Sequence, residues 1–275
     1  MNTKKIGFIG GGNMASSLIK GLIASGHSPS QLWVSDTNLD ILQSLAEQLK
    51  VNITGNNDEL VKCVDVVVLA VKPQVLQTVA ENIARDLIVG NLLFVSIAAG
   101  ISQQNLAQWL GKNTAIVRCM PNTPALVLTG ATALHANNAV SSEQKDLAEN
   151  ILRAVGISLW VAKESELDAV TAVSGSGPAY YFLLMEAMEK TALELGLSED
   201  TARLLVQQTA LGAAKIALES SNTPEELRRK VTSLGGTTEQ AIKTFEQGGF
   251  SLLVSKALHA ARDRSIEMSK ELGEK

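Results

Sequence analysis

The sequence predicts an α/β, Rossmann-like amino-terminal domain with a mostly parallel sheet, followed by an all-α carboxy-terminal domain. Short aliphatic runs alternate with helical segments up to about residue 162. A glycine-rich turn, Gly10-Gly11-Gly12, follows the first of these runs. Beyond residue 162 the alternation stops and apolar residues recur with helical spacing. We therefore expect two domains, residues 1–162 and residues 163–275.

The runs predicted to form strands are short and apolar. VDVVVLAV at 64–71 is typical of a strand buried on both faces, as in a parallel sheet covered by helices. The predicted strands cover Lys5–Gly10, Leu32–Ser35, Val64–Val71, Leu92–Ile97, Ala115–Arg118, Ala131–His135 and Ile157–Val161. The predicted helices among them cover Met14–Ser25, Leu39–Leu49 and Glu143–Val155.

Helix ends are marked by capping residues in the second half of the chain. Pro178 suits the first turn of a helix that ends at Gly196, and Ser198 is a candidate N-cap for the next helix. Thr223-Pro224-Glu225-Glu226 has the spacing of a capping box. A last helix is predicted over Phe250–Leu272. The second half is therefore expected to be helical throughout.

Composition excludes several classes of partner. The chain has 275 residues, 45% of them hydrophobic, and 24 basic against 28 acidic residues give a formal charge of −4. Such a charge does not favour nucleic acid or an anionic membrane. The first residues lack the apolar core of a secretory signal, and Cys63 and Cys119 are too few for a disulfide framework. We expect a cytoplasmic protein with no nucleic-acid partner, no membrane partner and no metal site.

The glycine-rich turn predicts a dinucleotide site. Gly10, Gly12 and Ala15 form a G-x-G-x-x-A pattern between a predicted strand and a predicted helix. Gly10 allows the tight turn, Gly12 lets the backbone approach a pyrophosphate, and Ala15 permits close packing of helix on strand. The backbone N–H groups of Asn13, Met14 and Ala15 then face the phosphates at the positive end of the helix.

The end of the second strand leaves the choice between NAD and NADP open. Asp36 follows that strand, where an acidic residue usually bonds the ribose hydroxyls of NAD and repels the extra phosphate of NADP. No arginine is adjacent to hold that phosphate. Ser35 and Thr37 are able to donate hydrogen bonds to it if Asp36 points away.

The chain offers no clear catalytic acid. Its three histidines, His27, His135 and His259, lie outside any recognisable site motif. A substrate that carries its own proton, such as a protonated imine, needs no strong enzymic acid. Two glycine-rich helix starts, at 174–178 and 233–238, present N–H groups and hydroxyls suited to a carboxylate.

Six segments together make the chain resemble the pyrroline-5-carboxylate reductase family over its whole length. They are IGFIGGGNMA at 6–15, AVKP at 70–73, SIAAGI at 96–101, RCMPNTPA at 118–125, AVSGSGPAY at 172–180 and GGTT at 235–238. The resemblance implies reduction of 1-pyrroline-5-carboxylate to L-proline, the last step of proline biosynthesis, by hydride transfer from NADPH, with NADH as the alternative. It also implies dimers formed through the helical domain and assembled into larger rings.

The resemblance assigns roles to residues at matching positions. The pyrophosphate would be held by Ile9, Gly10, Gly11, Gly12, Asn13 and Met14, and the adenosine end by Ser35 and Asn57. The path to the nicotinamide would be lined by Ala70, Val71, Lys72, Pro73, Ala98 and Ala99. The imino acid would contact Glu164, Ser233, Gly236, Thr237 and Thr238. Thr238, near the ring nitrogen, is the candidate catalytic residue.

Two other functions remain open from the residues. A 3-hydroxy-acid dehydrogenase of similar layout needs a lysine deep in its helical domain, and Lys190 and Lys215 are the available residues. Both fit an exposed helix face better. A non-catalytic nucleotide-binding protein would keep the glycine-rich turn but has no need for two helix-start clamps.

Overall fold

The amino-terminal part of the chain forms one eight-stranded sheet in the computed structural model, which describes residues 4–86 and 92–273. The strands are β1 (Ile6–Ile9), β2 (Leu32–Ser35), β3 (Asn52–Thr54), β4 (Val66–Leu69), β5 (Leu93–Ser96), β6 (Ala115–Met120), β7 (Gly130–Ala136) and β8 (Gly156–Trp160). Their order is β3-β2-β1-β4-β5-β6-β7-β8, and every neighbouring pair is parallel except β6 and β7. The predicted fold class is confirmed. Residues 1–3, part of the segment expected to lack a secretory signal, lie outside the described residues.

Helices connect the strands and then make up the rest of the chain. Those among the strands are α1 (Asn13–Ala24), α2 (Leu39–Leu49), α3 (Asn57–Cys63), α4 (Pro73–Asp86), α5 (Gln103–Leu110) and α6 (Ser142–Arg153). After the sheet come α7 (Glu166–Val170), α8 (Gly177–Glu194), α9 (Glu199–Glu219), α10 (Pro224–Lys230), α11 (Thr237–Gln247) and α12 (Phe250–Gly273). A π-helical turn, Thr171–Gly175, lies between α7 and α8.

The position of strand β4 in the sheet explains why its apolar residues do not alternate with polar ones. Val66 and Val68 pack into the core on one face of the sheet, while Val67 and Leu69 pack into the core on the other. All four are fully buried. Burying such a side chain contributes about 1.5–3 kcal/mol, so both faces favour aliphatic residues.

Strand β3 was missed because its sequence carries no apolar run. Its residues, Asn-Ile-Thr, form an edge strand in which Ile53 is 37% exposed. The strand exists through its parallel pairing with β2 and through Asn52, whose Nδ2 donates to the carbonyls of Ser30 and Leu32. Pairing with a distant segment therefore overrides the weak local preference.

The predicted helix ends of the second half are confirmed. Ser198 accepts a hydrogen bond from the Thr201 N–H, and Thr223 and Glu226 form a complete capping box. Gly196, after α8, has a φ of +96°, which suits glycine at a helix end. The last helix ends one residue beyond the predicted Leu272.

The chain packs as two compact units, one with the residues up to Ser176 and those from Ala260 onward, the other with Gly177–His259. The end of α12 joins the first unit through Ser265, whose Oγ donates to Asp168 Oδ1 at 2.7 Å. These units are drawn differently from the predicted domains 1–162 and 163–275, which stay a prediction. Within residues 4–86 and 92–273, no helix is long and apolar enough to cross a bilayer.

Candidate functional site

The glycine-rich turn lies where the carboxyl ends of neighbouring strands meet. The Gly10 N–H donates to the Ser35 carbonyl at the end of β2, and the Ala70 N–H beyond β4 donates to the Ile9 carbonyl, both at 2.8 Å. Ligands of open parallel sheets bind at this edge, outside the carboxyl ends of the strands. The fold therefore places the turn where a dinucleotide site is expected.

The three glycines of the turn are needed for different reasons. Gly10 has a φ of +99°, and a Cβ there would lie 2.7 Å from the Ala70 carbonyl oxygen. A Cβ on Gly11 would lie 2.8 Å from Ile41 Cγ2. Gly12 has φ −68° and ψ −175°, and a Cβ there would meet no protein atom within 4 Å. Steric fit within the folded chain thus explains why Gly10 and Gly11 are glycines. At Gly12 no protein atom requires a glycine, and the space in front of the helix is open.

The start of α1 is available to an anion. Gly12 is its N-cap, no side chain caps it, and its first turn holds no acidic residue. Gly12 and Asn13 are exposed and Met14 is half-buried, while Ala15 is 1% exposed and packs in the core. The positive helix end and the open space at Gly12 together fit a pyrophosphate.

Asp36 is bonded to the protein backbone. Its Oδ2 accepts from the Gly11 N–H at 2.8 Å, and its Oδ1 accepts from the Asn38 N–H at 2.9 Å. The carboxylate therefore ties the glycine-rich turn to the end of β2. The sequence left open whether Asp36 bonds the ribose or points away from it. In the structure its carboxylate points to the backbone of the glycine-rich turn.

The two residues expected at the adenosine end contact each other. Ser35 is 1% exposed, and its hydroxyl donates to Asn57 Oδ1 at 2.7 Å. Asn57 is half-buried and begins α3. Ser35 thus holds Asn57 in place, and the role of both at the adenosine stays a prediction.

The residues expected near the nicotinamide follow β4 and β5. Ala70 and Val71 are half-buried, Lys72 is exposed and Pro73 begins α4. Ala98 and Ala99 come after β5, and only Ala98 is fully buried. Because β1, β4 and β5 are adjacent and parallel, both segments lie at the same edge as the glycine-rich turn.

Glu164 belongs to a polar cluster that the sequence did not reveal. Its Oε1 accepts from Arg118 Nη1 at 2.9 Å and from the Gln103 N–H at 2.7 Å. The side chain of Arg118 is 7% exposed and that of Glu164 is 26% exposed. The available signal was an arginine inside the otherwise apolar strand AIVRCM, since charged residues are rarely buried unless paired.

Gln103 connects this cluster to β6 and β7. Its Nε2 donates to the carbonyls of Ile116 and His135, at 3.2 and 2.8 Å. Both N–H donors are then used, so its Oε1 accepts from His135 Nδ1 at 2.9 Å. The hydrogen-bond network assigns the proton to Nδ1, and His135 acts as a structural donor.

Residues of the segment 118–125 pack against Ser174 and Gly175 within the first unit. Asn122 Nδ2 donates to the Ser174 carbonyl at 3.1 Å, and Asn122 Oδ1 accepts from the Ala131 N–H at 2.9 Å. A Cβ on Gly175 would lie 2.4 Å from Met120 Cε, so the end of the Met120 side chain packs directly against this glycine. The segment 118–125 thus supports the π-helical turn, and π-helical turns are frequent at functional sites.

The turn before α11 lies in the second unit, and some of its backbone N–H groups donate hydrogen bonds to acceptors within the same segment. The Gly235 N–H donates to Glu239 Oε2 at 2.8 Å, and the Gly236 N–H donates to the Ser233 carbonyl at 3.1 Å. The hydrogen bond from the Gly235 N–H lowers the pKa of the Glu239 carboxyl, and a weaker contribution from Lys243 lowers it further. Gly236 is the N-cap of α11 and no side chain caps that helix. The N–H groups of the next two residues are therefore better placed for a carboxylate than those of the glycines.

The side chains expected to contact substrate from this turn are accessible. Ser233, Thr237 and Thr238 are exposed, and Gly236 is half-buried.

The two lysines considered for a 3-hydroxy-acid dehydrogenase are also accessible. Lys190 is exposed, and Lys215 is 69% exposed and paired with Glu219. Both lysines lie on a solvent face, as expected, which disfavours the dehydrogenase alternative.

The comparisons with known proteins cover the full chain. Residues 164–268 match a family model described as pyrroline-5-carboxylate reductase dimerisation, and residues 5–100 match one described as NADP oxidoreductase, coenzyme F420-dependent. A pyrroline-5-carboxylate reductase of Pseudomonas aeruginosa is 51% identical, with 100% of each chain covered.

Solved structures agree with these matches. A pyrroline-5-carboxylate reductase from Coxiella burnetii has a TM-score of 0.93 at 48% identity, covering 97% of this chain and 99% of that one. The Plasmodium falciparum pyrroline carboxylate reductase with NADP bound has a TM-score of 0.87 at 30% identity, covering 98% and 99%.

Proposed function

The chain belongs to the pyrroline-5-carboxylate reductase family, and from this premise we propose that it reduces 1-pyrroline-5-carboxylate to L-proline, the last step of proline biosynthesis. The observation that supports a nucleotide-dependent reaction most directly is the open space at Gly12 in front of an uncapped helix start. NADPH is the proposed reductant, in agreement with the NADP oxidoreductase match over residues 5–100, and NADH is the alternative. When bound, the cofactor supplies a hydride to the imine carbon.

The first unit would hold the cofactor along the carboxyl edge of its sheet. The start of α1 would bind the pyrophosphate through backbone N–H groups from Gly12 to Met14, and Ile9, Gly10 and Gly11 would shape the turn. Asn57, held by Ser35, would reach the adenosine end. Ala70–Pro73 and Ala98–Ala99 would line the nicotinamide side.

The substrate is a small anion with a basic ring nitrogen. The N–H groups of Thr237 and Thr238, at the start of α11, suit its carboxylate. The Thr238 hydroxyl both donates and accepts, so it can orient the ring nitrogen as the imine becomes an amine. Ser233 and Gly236 would complete this contact, and Glu164 is the remaining residue proposed to contact the substrate.

The second unit carries many exposed apolar side chains, which supports assembly through the helical part of the chain. Leu204, Leu211 and Leu218 of α9 are 62–84% exposed, and Leu252 and Leu253 of α12 are 60% and 66% exposed. So many exposed apolar side chains favour burial against a protein partner. We propose a homodimer through the region matched by the dimerisation model, assembled further into a ring of dimers. Sedimentation at micromolar concentration tests this, because a monomer would refute it. A cytoplasmic location stays a prediction.

The activity test mixes the protein with NADPH and racemic 1-pyrroline-5-carboxylate while the cofactor absorbance is followed. Absorbance should fall, and chiral chromatography should find L-proline in equal amount. Oxidation of 3-hydroxy acids with NAD or NADP would favour the dehydrogenase alternative. Tight NADPH binding without turnover of either substrate would favour a nucleotide-binding protein. The same assay with NADH measures the cofactor preference.

A further inference from the structure

The polar cluster around Glu164 contains two residues to which no role has been assigned. We infer that Arg118 and Gln103 are positioning residues that fix the Glu164 carboxylate and leave a single oxygen, Oε2, for the substrate. The inference rests on the proposed function, in which Glu164 contacts the imino acid. It adds the residues through which that contact is aligned.

The two oxygens of Glu164 have different surroundings. Oε1 accepts two hydrogen bonds, from Arg118 Nη1 and from the Gln103 N–H, which use both of its lone pairs. Within the described residues, Oε2 has no hydrogen-bond partner. The carboxylate is therefore held at one oxygen, and its other oxygen is free to accept from a ligand.

The donors come from two separately anchored elements. Arg118 is 6% exposed on β6, which pairs with β5 on one side and β7 on the other. Gln103 is the first residue of α5, and its side chain is fixed to the carbonyls of Ile116 and His135. Because neither donor lies on a mobile surface side chain, the carboxylate has little freedom to change its position.

Charge indicates which end of the substrate this oxygen suits. A fixed carboxylate repels the carboxylate of the imino acid and attracts its protonated ring nitrogen. The Glu164 carboxylate compensates the charge of the buried Arg118 guanidinium, so the pair is retained when no substrate is bound. A misaligned Glu164 should therefore impair substrate binding and turnover without affecting the cofactor.

The test compares four variants with a matched control. R118M removes the guanidinium, and R118K keeps a positive charge but lacks the planar guanidinium group. E164Q removes the charge of the carboxylate, and R118M/E164Q replaces both partners. R153M is the control, because Arg153 pairs with Glu149 in the same unit but its side chain is 60% exposed. Steady-state kcat and KM for 1-pyrroline-5-carboxylate, the NADPH Kd and the melting temperature are measured for each.

R118M should lower kcat/KM about 10- to 1000-fold, the range expected when a substrate-positioning group is displaced. R118K should recover part of this loss, and R153M should resemble the wild type. The NADPH Kd should change little in all of them. Because Arg118 acts through Glu164, the double variant should be no worse than E164Q by more than about threefold, whereas independent roles would multiply.

Several results would overturn the inference. A folded R118M with wild-type kcat/KM, or a double variant whose losses multiply, would show that Arg118 does not act through Glu164. If R118M does not fold, R118K and the double variant, which leaves no unpaired buried charge, decide the matter by the same criteria. Wild-type kinetics in E164Q would remove Glu164 from the substrate site while leaving the reductase activity intact. A wild-type protein that does not reduce 1-pyrroline-5-carboxylate would instead refute the proposed function.

Discussion

Replacing Gly12 by valine separates the needs of folding from those of cofactor binding. The backbone of Gly12 is extended, with φ −68° and ψ −175°, and a Cβ there meets no protein atom within 4 Å. The fold should therefore accept a side chain. The same side chain would stand in front of α1, where a pyrophosphate must approach the backbone N–H groups.

The expected effects can be estimated for each process. Removing a glycine from a permitted conformation stabilises a protein by about 0.4–1 kcal/mol, and losing glycine as an N-cap costs a similar amount, so the free energy of unfolding should hardly change. Hydrogen bonds to charged groups contribute about 1.5–3 kcal/mol each. Losing one or two of them at the pyrophosphate weakens NADPH binding about 10- to 10⁴-fold.

Gly10→Ala provides the contrast within the same turn. Gly10 has a φ of +99°, and its added Cβ would lie 2.7 Å from the Ala70 carbonyl oxygen. This variant should lose stability by more than the 1–2 kcal/mol typical of a left-handed residue, or several degrees in melting temperature.

Two calorimetric measurements test this prediction. Isothermal titration gives the NADPH Kd, and scanning calorimetry without cofactor gives the melting temperature. A Gly12→Val protein that keeps the wild-type melting temperature and the wild-type Kd would refute the pyrophosphate assignment. Equal losses of stability in the two variants would instead show that Gly12 is required for folding.

Three further predictions concern single side chains. Thr238→Ala should lower kcat about 10- to 1000-fold, while His259→Ala retains most activity; steady-state kinetics giving the opposite order would refute a mechanism based on a hydroxyl and a self-protonated imine. Asp36→Ala should weaken NADPH and NADH together, since it frees the Gly11 N–H from its acceptor, and a gain for NADPH alone in titrations would show that Asp36 acts at the ribose. Burial lowers the pKa of the His27 imidazole below its ordinary 6.5, so the unfolded chain takes up the proton first and stability falls as pH drops below 6.5. His27→Gln should flatten that part of the curve of unfolding free energy against pH, and an unchanged slope in denaturant titrations would contradict this.

Local patterns were sufficient for most of the fold. The run at β4 predicted a strand buried on both faces, and Ser198 and Thr223 predicted helix starts that the structure has. Such signals depend on residues within a few positions of each other, so they can be read without knowing which distant segments meet. The glycine-rich turn is a signal of the same kind, because strand, turn and helix are consecutive.

The roles of individual polar residues needed the folded chain. The Arg118–Glu164 pair joins residues 46 positions apart, and the Asp36–Gly11 bond spans 25 positions. Arg118 has a local signal, a charged residue within an apolar strand, but that signal does not identify Glu164 as its partner. The partners in both pairs are decided by which distant segments the fold brings together.

The amino-acid order alone thus specified an α/β fold with a dinucleotide turn at its start and a helical second half. Only the tertiary structure distinguished Gly10 from Gly12, showed Asp36 bonded to the turn and brought Arg118, Gln103 and Glu164 together. Periodicity, capping and turn formation involve neighbours along the chain, whereas steric fit and the pairing of buried charges depend on atoms that only folding brings into contact.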